Sequence, residues 1–258
     1  MWTDESSKKI LELIKETDGQ IGFLIKNLKT SEVLFSHNAS MVTPAASIIK
    51  LPILLTLLDE AAEGRISLDE AVPVSAGDFV EGSGLIRHLS GKQPLSWLDH
   101  ALFMITVSDN ASTNHLISRL GIDSINSKIK SLGMKSTVLG RKMMDFEARA
   151  QGKDNYTNCD DLSVIFEHFY RNGEKYGEAL RILKQQQHSD LLAGLLDTDA
   201  FEFAHKTGGL PRTRHDAGIM YLRDPVLVAF LSKELKHEKD GLRLAHEIGL
   251  KIYEEFKP

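Results

Sequence analysis

The amino-acid sequence predicts an α/β plus all-α fold: an antiparallel sheet flanked by the first and last helices, with a helical domain inserted between its strands. Strand-like runs lie near both ends, at 21–28 and 33–35 and again at 202–206, 217–222 and 226–231, and helical periodicity dominates the segment between them. Residues 1–41 and 200–258 are therefore expected to form one discontinuous sheet domain around a helical domain at 42–199. No flexible linker, low-complexity tract or internal repeat interrupts this plan.

Taken in order, Ile10, Leu11, Leu13 and Ile14 have the spacing of an opening helix, which Asp18-Gly19 ends. The polar turn Lys29-Thr30-Ser31 joins the first two strands as a hairpin. Helical spacing then marks 48–63, 95–107, 111–120, 122–132 and 162–172, with Gly64, Gly121, Gly133 and Gly173 near the breaks. A last amphipathic helix, 242–256, returns to the sheet, and Trp2, Trp97 and the methionines read as packing.

Composition narrows the function. With 258 residues and 42% hydrophobic content the chain can bury a substantial core. The net charge of −5, with both signs mixed along the chain, lacks a basic stripe, so nucleic acid is not an expected partner. The most apolar run, 48–58, is too short to cross a bilayer and contains Lys50, Pro52 and Thr56, so no membrane span is expected. Cys159 is the single cysteine and cannot close an internal disulfide; together with a start that lacks a basic head and apolar run, it points to the cytoplasm.

Three short motifs carry potential chemistry. Ser47 and Lys50 stand three apart at the head of an apolar helix, so both project from one face. A serine hydroxyl needs a base, and a lysine serves as one when burial or a second cation destabilises its ammonium form. The same spacing recurs at Ser6/Lys9 and Ser127/Lys130, but only Lys50 lies in an almost wholly apolar helix where a structural lysine would be costly. Ser108-Asp109-Asn110 reads either as a helix cap or as a proton relay with an amide that holds a substrate carbonyl. Lys206-Thr207-Gly208-Gly209, at the end of a strand, reads either as a hairpin turn or as a strand edge that receives an anionic substrate.

In that order the motifs resemble the Ser-x-x-Lys, Ser-Asp-Asn and Lys-Thr-Gly signature of class A β-lactamases and penicillin-binding proteins. Gly82-Ser83-Gly84 looks like a loop those enzymes carry beside the cleft, and Asn114 matches an asparagine that follows Ser-Asp-Asn in them. The resemblance implies that Ser47 is acylated, Lys50 accepts its proton, Ser108 shuttles protons, and Lys206 acts electrostatically beside Ser108. It implies that Asn110 and Thr207 hold substrate amide and carboxylate, that the Ser47 and Gly209 N–H groups form an oxyanion hole with Gly208 between the binding residues, and that Arg214 reads the carboxylate. It also implies a loop carboxylate that activates the deacylating water. Within 141–155, ahead of Tyr156-Thr157, Glu147 with Gln151 is the first choice, Asp145 the second, and a loop without a catalytic carboxylate the third.

His205 with His215-Asp216 could be read as metal ligands on neighbouring strands, but no third ligand stands at helix or strand spacing beside them. The expectation is thus a serine hydrolase that opens a β-lactam or a related acyl substrate, without metal or organic cofactor. An esterase or D,D-peptidase with the same nucleophile and a penicillin sensor that stays acylated are the alternatives.

Overall fold

The structure is a computed structural model that describes residues 2–74, 79–89 and 94–257. Thr3 caps the first helix, α1 (Asp4–Lys15), by accepting a hydrogen bond from the Ser6 N–H, and the buried Ile10 and Ile14 of that helix lie against the sheet. The chain then forms β1 (Gln20–Asn27) and β2 (Val33–His37), followed by the short β3 (Thr43–Pro44). A 3₁₀ turn, Ala46–Ile49, leads directly into α2 (Lys50–Ala62). Two-residue strands β4 (Ala71–Val72) and β5 (Leu95–Ser96) pair ahead of α3 (Trp97–Thr106), which Ser96 and Asp99 close with a capping box.

Helices α4 (Asn110–Leu120) and α5 (Ile122–Ser131) follow, then the short α6 (Phe146–Ala150). Strand β6 (Tyr156–Thr157) pairs with β3, and α7 (Cys159–Arg171) and α8 (Gly173–Leu183) complete the helical region. Strands β7 (Glu202–Leu210), β8 (Thr213–Tyr221) and β9 (Pro225–Lys233) and helix α9 (Glu238–Phe256) close the chain.

The five long strands form one antiparallel sheet in the order β2-β1-β9-β8-β7, so strands from both chain ends share a layer as the sequence predicts. Both faces of this sheet are covered. Leu227, Ala229 and Leu231 of β9 face α2 and the helical region, whereas Val226, Val228 and Phe230 face α1 and α9. This explains why β9 reads as a continuous apolar run instead of an alternating one. Helix α2 is buried from Lys50 through Asp59, on every side, and anchors the larger core.

Four expectations shift. Ser47 lies in a 3₁₀ turn ahead of the α-helix, where residues three apart eclipse, so its alignment with Lys50 is tighter than an α-helix would give. Gly173 stands at the break between α7 and α8 as expected, but α8 itself was not among the expected helices, and the residues of α6 carried no helical signal long enough to find. The Lys206-Thr207-Gly208-Gly209 segment lies inside β7 and is not the hairpin turn. The chain reverses at Pro211-Arg212, where Arg212 takes a positive φ of 60°.

Candidate active site

Ser47 stands where three elements meet: its own 3₁₀ turn, the loop before α4, and strand β7. The approach to β7 is close, and a side chain there would force its neighbours to give way. A Cβ on Gly208 would sit 3.2 Å from the Ser47 backbone nitrogen and from the side chains of Ala46 and Ile48. The preceding residue, Ala46, takes a φ of 47°, a conformation disfavoured for L side chains that the surrounding packing must hold in place.

Lys50 is fully buried, and its Nζ lies 2.7 Å from the Ser108 carbonyl oxygen, 3.2 Å from Ser108 Oγ and 3.0 Å from Asn110 Oδ1. Burial pushes its pKa well below the ordinary lysine value, and Lys206 pushes it the same way against a smaller opposing pull from Asp109. The lowered pKa favours the neutral amine more than in an ordinary lysine, and Nζ lies within hydrogen-bond reach of the Ser108 hydroxyl. By contrast Lys9 and Lys130, the lysines of the two other Ser-x-x-Lys pairs, are exposed.

The Ser108-Asp109-Asn110 tripeptide is a helix cap, as one reading of its sequence expects, and its outer two residues meet Lys50. Asp109 caps α4 through Oδ1, which accepts from the Ser112 N–H at 2.8 Å. Its Oδ2 accepts from the N–H groups of Leu85 at 2.6 Å and Ile86 at 2.9 Å, and this clamps the 82–86 loop against the site. A Cβ on Gly84, whose φ is 129°, would strike that carboxylate oxygen at 2.1 Å. With Asp109 so engaged, its neighbours turn to Lys50: Ser108 through a strained φ of 56°, and Asn110 while its own Nδ2 donates to the Glu81 carbonyl oxygen.

On β7, Lys206 is fully buried and donates from Nζ to the Thr207 carbonyl oxygen at 2.9 Å. Burial lowers its pKa to about 7, against an opposing attraction from Asp216. Thr207, Gly208 and Gly209 line a cavity of about 510 Å³ together with Ser47, Ser108 and Arg214. The Arg214 guanidinium lies at that cavity but is ion-paired with Glu238 at the start of α9.

A second cavity, about 200 Å³, opens on the other side of Ser47 toward residues 141–155. Ser47, Ser83, Gly209 and Leu210 line both cavities, so Ser47 sits at their junction. The loop is closed at its neck. Asp154 pairs with Arg141 at 2.8 Å, and Asn155 Oδ1 accepts from the Gly140 and Arg141 N–H groups. Asn114 grips the loop from α4, as Met143 N–H donates to its Oδ1 at 2.8 Å and its Nδ2 donates to the Met143 carbonyl oxygen at 3.1 Å.

The structure does not bring Glu147 to Ser47. The walls here are Met143, Met144, Phe146 and Arg149, with Asp154 and Asn155. Phe146 and Arg149 are three apart on one face of α6, and Glu147, about 100° around the helix from Phe146, is exposed together with Gln151. Asp145 is spent as the N-cap of α6, accepting from the Ala148 N–H at 2.9 Å. Nor do His205 and His215 face each other. His205 Nδ1 bonds Asp216, whereas His215 Nε2 bonds the Pro44 carbonyl oxygen and burial holds its pKa near 4. Among the described residues no group of three His, Cys, Asp or Glu is arranged to hold a metal ion.

Sequence reasoning missed Asn155, Met143 and Glu238. Asn155 was available as an Asp-Asn pair directly before β6, but Met143 and Glu238 carry no signal until the fold places them.

The family model described as "Beta-lactamase enzyme family" matches residues 5–256. The chain belongs to that family. Its fold is that of solved family structures. A beta-lactamase from Sphaerobacter thermophilus aligns with a TM-score of 0.88 at 24% identity over 97% of both chains. PBP-A, solved as a point mutant in an acyl-enzyme complex with penicillin G, aligns with a TM-score of 0.86 at 24% identity over 97% of this chain and 96% of that one. The TLA-1 extended-spectrum beta-lactamase aligns with a TM-score of 0.88 at 20% identity over 98% of this chain and 99% of that one.

Among curated proteins, D-alanyl-D-alanine endopeptidases of Pseudomonas aeruginosa and Escherichia coli are 28% and 30% identical over 120 residues. That stretch is 44% of this chain and 37% of each relative's length. As a member of the Beta-lactamase family the protein is a serine hydrolase of the β-lactamase fold.

Proposed function

We propose that this family member forms an acyl-enzyme on Ser47 with β-lactams and with peptides of the D-alanyl type, and that it releases a β-lactam acyl group slowly. The observation that carries this reading is the wall opposite the nucleophile, which holds Met143 and Met144 while Asp145 and Glu147 lie elsewhere. An acyl-enzyme is an ester, and its rapid hydrolysis needs a base within hydrogen-bond reach of an attacking water.

In this reading Lys50, its pKa lowered by burial, takes the Ser47 proton as Oγ attacks the carbonyl, and the N–H groups of Ser47 and Gly209 receive the oxyanion. Ser108 then passes a proton to the departing nitrogen, helped by the charge of Lys206. Asn110 holds the acyl side, and Thr207 and Arg214 hold a carboxylate on the leaving side. The match to D-alanyl-D-alanine endopeptidases supports the peptide substrate.

A second reading, efficient β-lactam hydrolysis, draws on Asp154, a carboxylate at the loop-side cavity; its ion pairs with Arg141 and Arg149 hold it as a structural group. Intact-mass spectrometry through a time course with penicillin G tests both. A covalent adduct that persists for many turnover times of an efficient β-lactamase, and is lost in Ser47→Ala, is the expected result. Rapid disappearance of penicillin without an accumulated adduct would favour the second reading, and an adduct mapped to another serine would defeat both.

A further inference from the structure

Behind the cleft, on the far side of the 188–191 segment, three residues unused by the Ser47 chemistry come together. Asp216 is fully buried on β8, and its Oδ1 lies 2.8 Å from His205 Nδ1 on the neighbouring strand β7. Its Oδ2 accepts from the Leu192 N–H at 3.2 Å, so the carboxylate is held from two directions. The His205 ring is fixed as well, stacked on Phe203 with centroids 4.0 Å apart and planes 8° from parallel. In the tautomer that donates Nδ1–H to Asp216, Nε2 is the acceptor, and it lies 3.5 Å from Ser189 Oγ.

Ser189 and His205 both line a cavity of about 260 Å³, which Lys184, Thr198 and Phe201 help to wall. Ser189 is half-buried, and its neighbours His188 and Asp190 line the Ser47 cleft instead, so the segment presents alternate residues to two separate cavities.

We infer that Ser189, His205 and Asp216 form a second nucleophilic site, independent of Ser47, that accepts small carboxylic esters. A nucleophile within reach of a base that a third group orients is the arrangement that activates a serine, and this contact is commonly loose before substrate binds. Ser189 Oγ bonds to the ester carbonyl carbon as His205 Nε2 takes its proton; the C–O bond to the alcohol then breaks, and the alkoxide leaves with that proton. Water, deprotonated in turn by His205, hydrolyses the acyl-serine to the acid and restores the hydroxyl. Lys184, which is ion-paired with Glu202, and Thr198 also stand on the cavity wall. The cavity volume limits the acyl group to a short one.

The test uses the full chain carrying Ser47→Ala, so that the cleft cannot contribute, with p-nitrophenyl acetate as substrate and a small alkyl fluorophosphonate as covalent probe. The expected result is residual ester hydrolysis above the buffer rate and a phosphonate adduct that maps to the peptide containing Ser189. Adding Ser189→Ala should remove both, and adding Asp216→Asn, which frees the imidazole to take the wrong tautomer, should lower both by about 100-fold. Circular dichroism and thermal unfolding of each variant confirm that it is folded; Ser189→Thr, which keeps the hydroxyl, should retain part of the rate if Asp216→Asn proves unstable. Absence of any adduct at Ser189 in the folded Ser47→Ala protein overturns the inference, as does ester hydrolysis that survives Ser189→Ala unchanged.

Discussion

On the side of Ser47 that faces Ser108 and Thr207, the working groups come from the heads of α2 and α4 and from a strand locked into a five-stranded sheet. Lys50 and Lys206 are fully buried there, and a network of short hydrogen bonds fixes Ser108 and Asn110 around the first of them. On the side that faces 141–155, the walls come from a loop and a five-residue helix, with Phe146 61% exposed at the rim. The first side supplies what the proposed acylation needs, a lysine whose pKa burial lowers and fixed dipoles beside Ser47. The second supplies apolar contact and no free carboxylate. Under the proposed function, the difference makes forming and releasing an acyl-enzyme separable: one would depend on the core, the other on a segment the core merely holds.

The comparison breaks most visibly if the buried side is damaged. Lys50→Ala should lower the second-order rate of penicillin acylation by roughly 10²- to 10⁴-fold, the range a general base contributes. Stopped-flow or mass-spectrometric acylation rates check this, and a rate within a few-fold of the parent would remove Lys50 from the proton path.

Sharpening it from the other side, Met143→Glu places a carboxylate on the cavity wall at the position Asn114 grips. Release of the penicilloyl group should accelerate toward the roughly 10²-fold that a positioned base gives, with acylation little changed. Single-turnover decay of the adduct is the measurement, and an unaltered half-life would show that the loop side is not what limits release.

A third effect follows from the lysine on β7. Its charge is lost as pH rises through about 7, so acylation by a carboxylate-bearing penicillin should fall roughly tenfold between pH 6 and pH 8. The sign follows from what is titrated: the protonated form attracts the anion, so the rate is highest below the pKa and declines above it. An uncharged ester substrate should lack this decline, and so should Lys206→Ala with penicillin; a decline that persists in Lys206→Ala assigns the titration to another group.

The smallest expected effect is none. Glu147→Gln should leave both acylation and release within twofold of the parent, since the side chain is exposed and lines neither cavity. Accumulation of adduct in this variant alone would restore Glu147 as the deacylating base.

Much of the buried side was legible before the fold was known, because its chemistry is local. Ser47 and Lys50 are one turn apart, Ser108-Asp109-Asn110 interrupts an apolar run, and Lys206-Thr207-Gly208 ends in glycines that a close approach demands. The sheet was legible for a similar reason, as each strand carries its own apolar run between turn residues. Strand β7 outran its expected end since Gly208 serves the contact with the Ser47 turn and Gly209 packs against Arg214, and neither makes the reversal.

The loop side was not legible. Whether Glu147 or Phe146 faces the nucleophile depends on the phase of a five-residue helix set by the Asp145 cap, and no periodicity shows in so few residues. Likewise Ser189 lies in a loop, and His205 and Asp216 lie on neighbouring strands and meet only through the register of β7 with β8, which sets His205 two residues from Thr207, the residue opposite Asp216.

The neck of the 141–155 loop has a further consequence, in terms of replaceable parts. Arg141 and Asp154 are pinned together, Asn155 ties both flanks, and the Asn155 carbonyl oxygen accepts the Ala45 N–H at 2.8 Å, two residues before the nucleophile. Everything between the pins is a closed cassette whose ends are already paid for, and lengthening a closed loop costs only about 0.6 kcal/mol per doubling. Insertions between 144 and 152 should therefore be tolerated thermodynamically, whereas losing Asn155 would unseat the backbone that carries Ser47. A lineage, or a library, can thus exchange the interior freely to alter how long an acyl group stays, while the attack that puts it there is held constant.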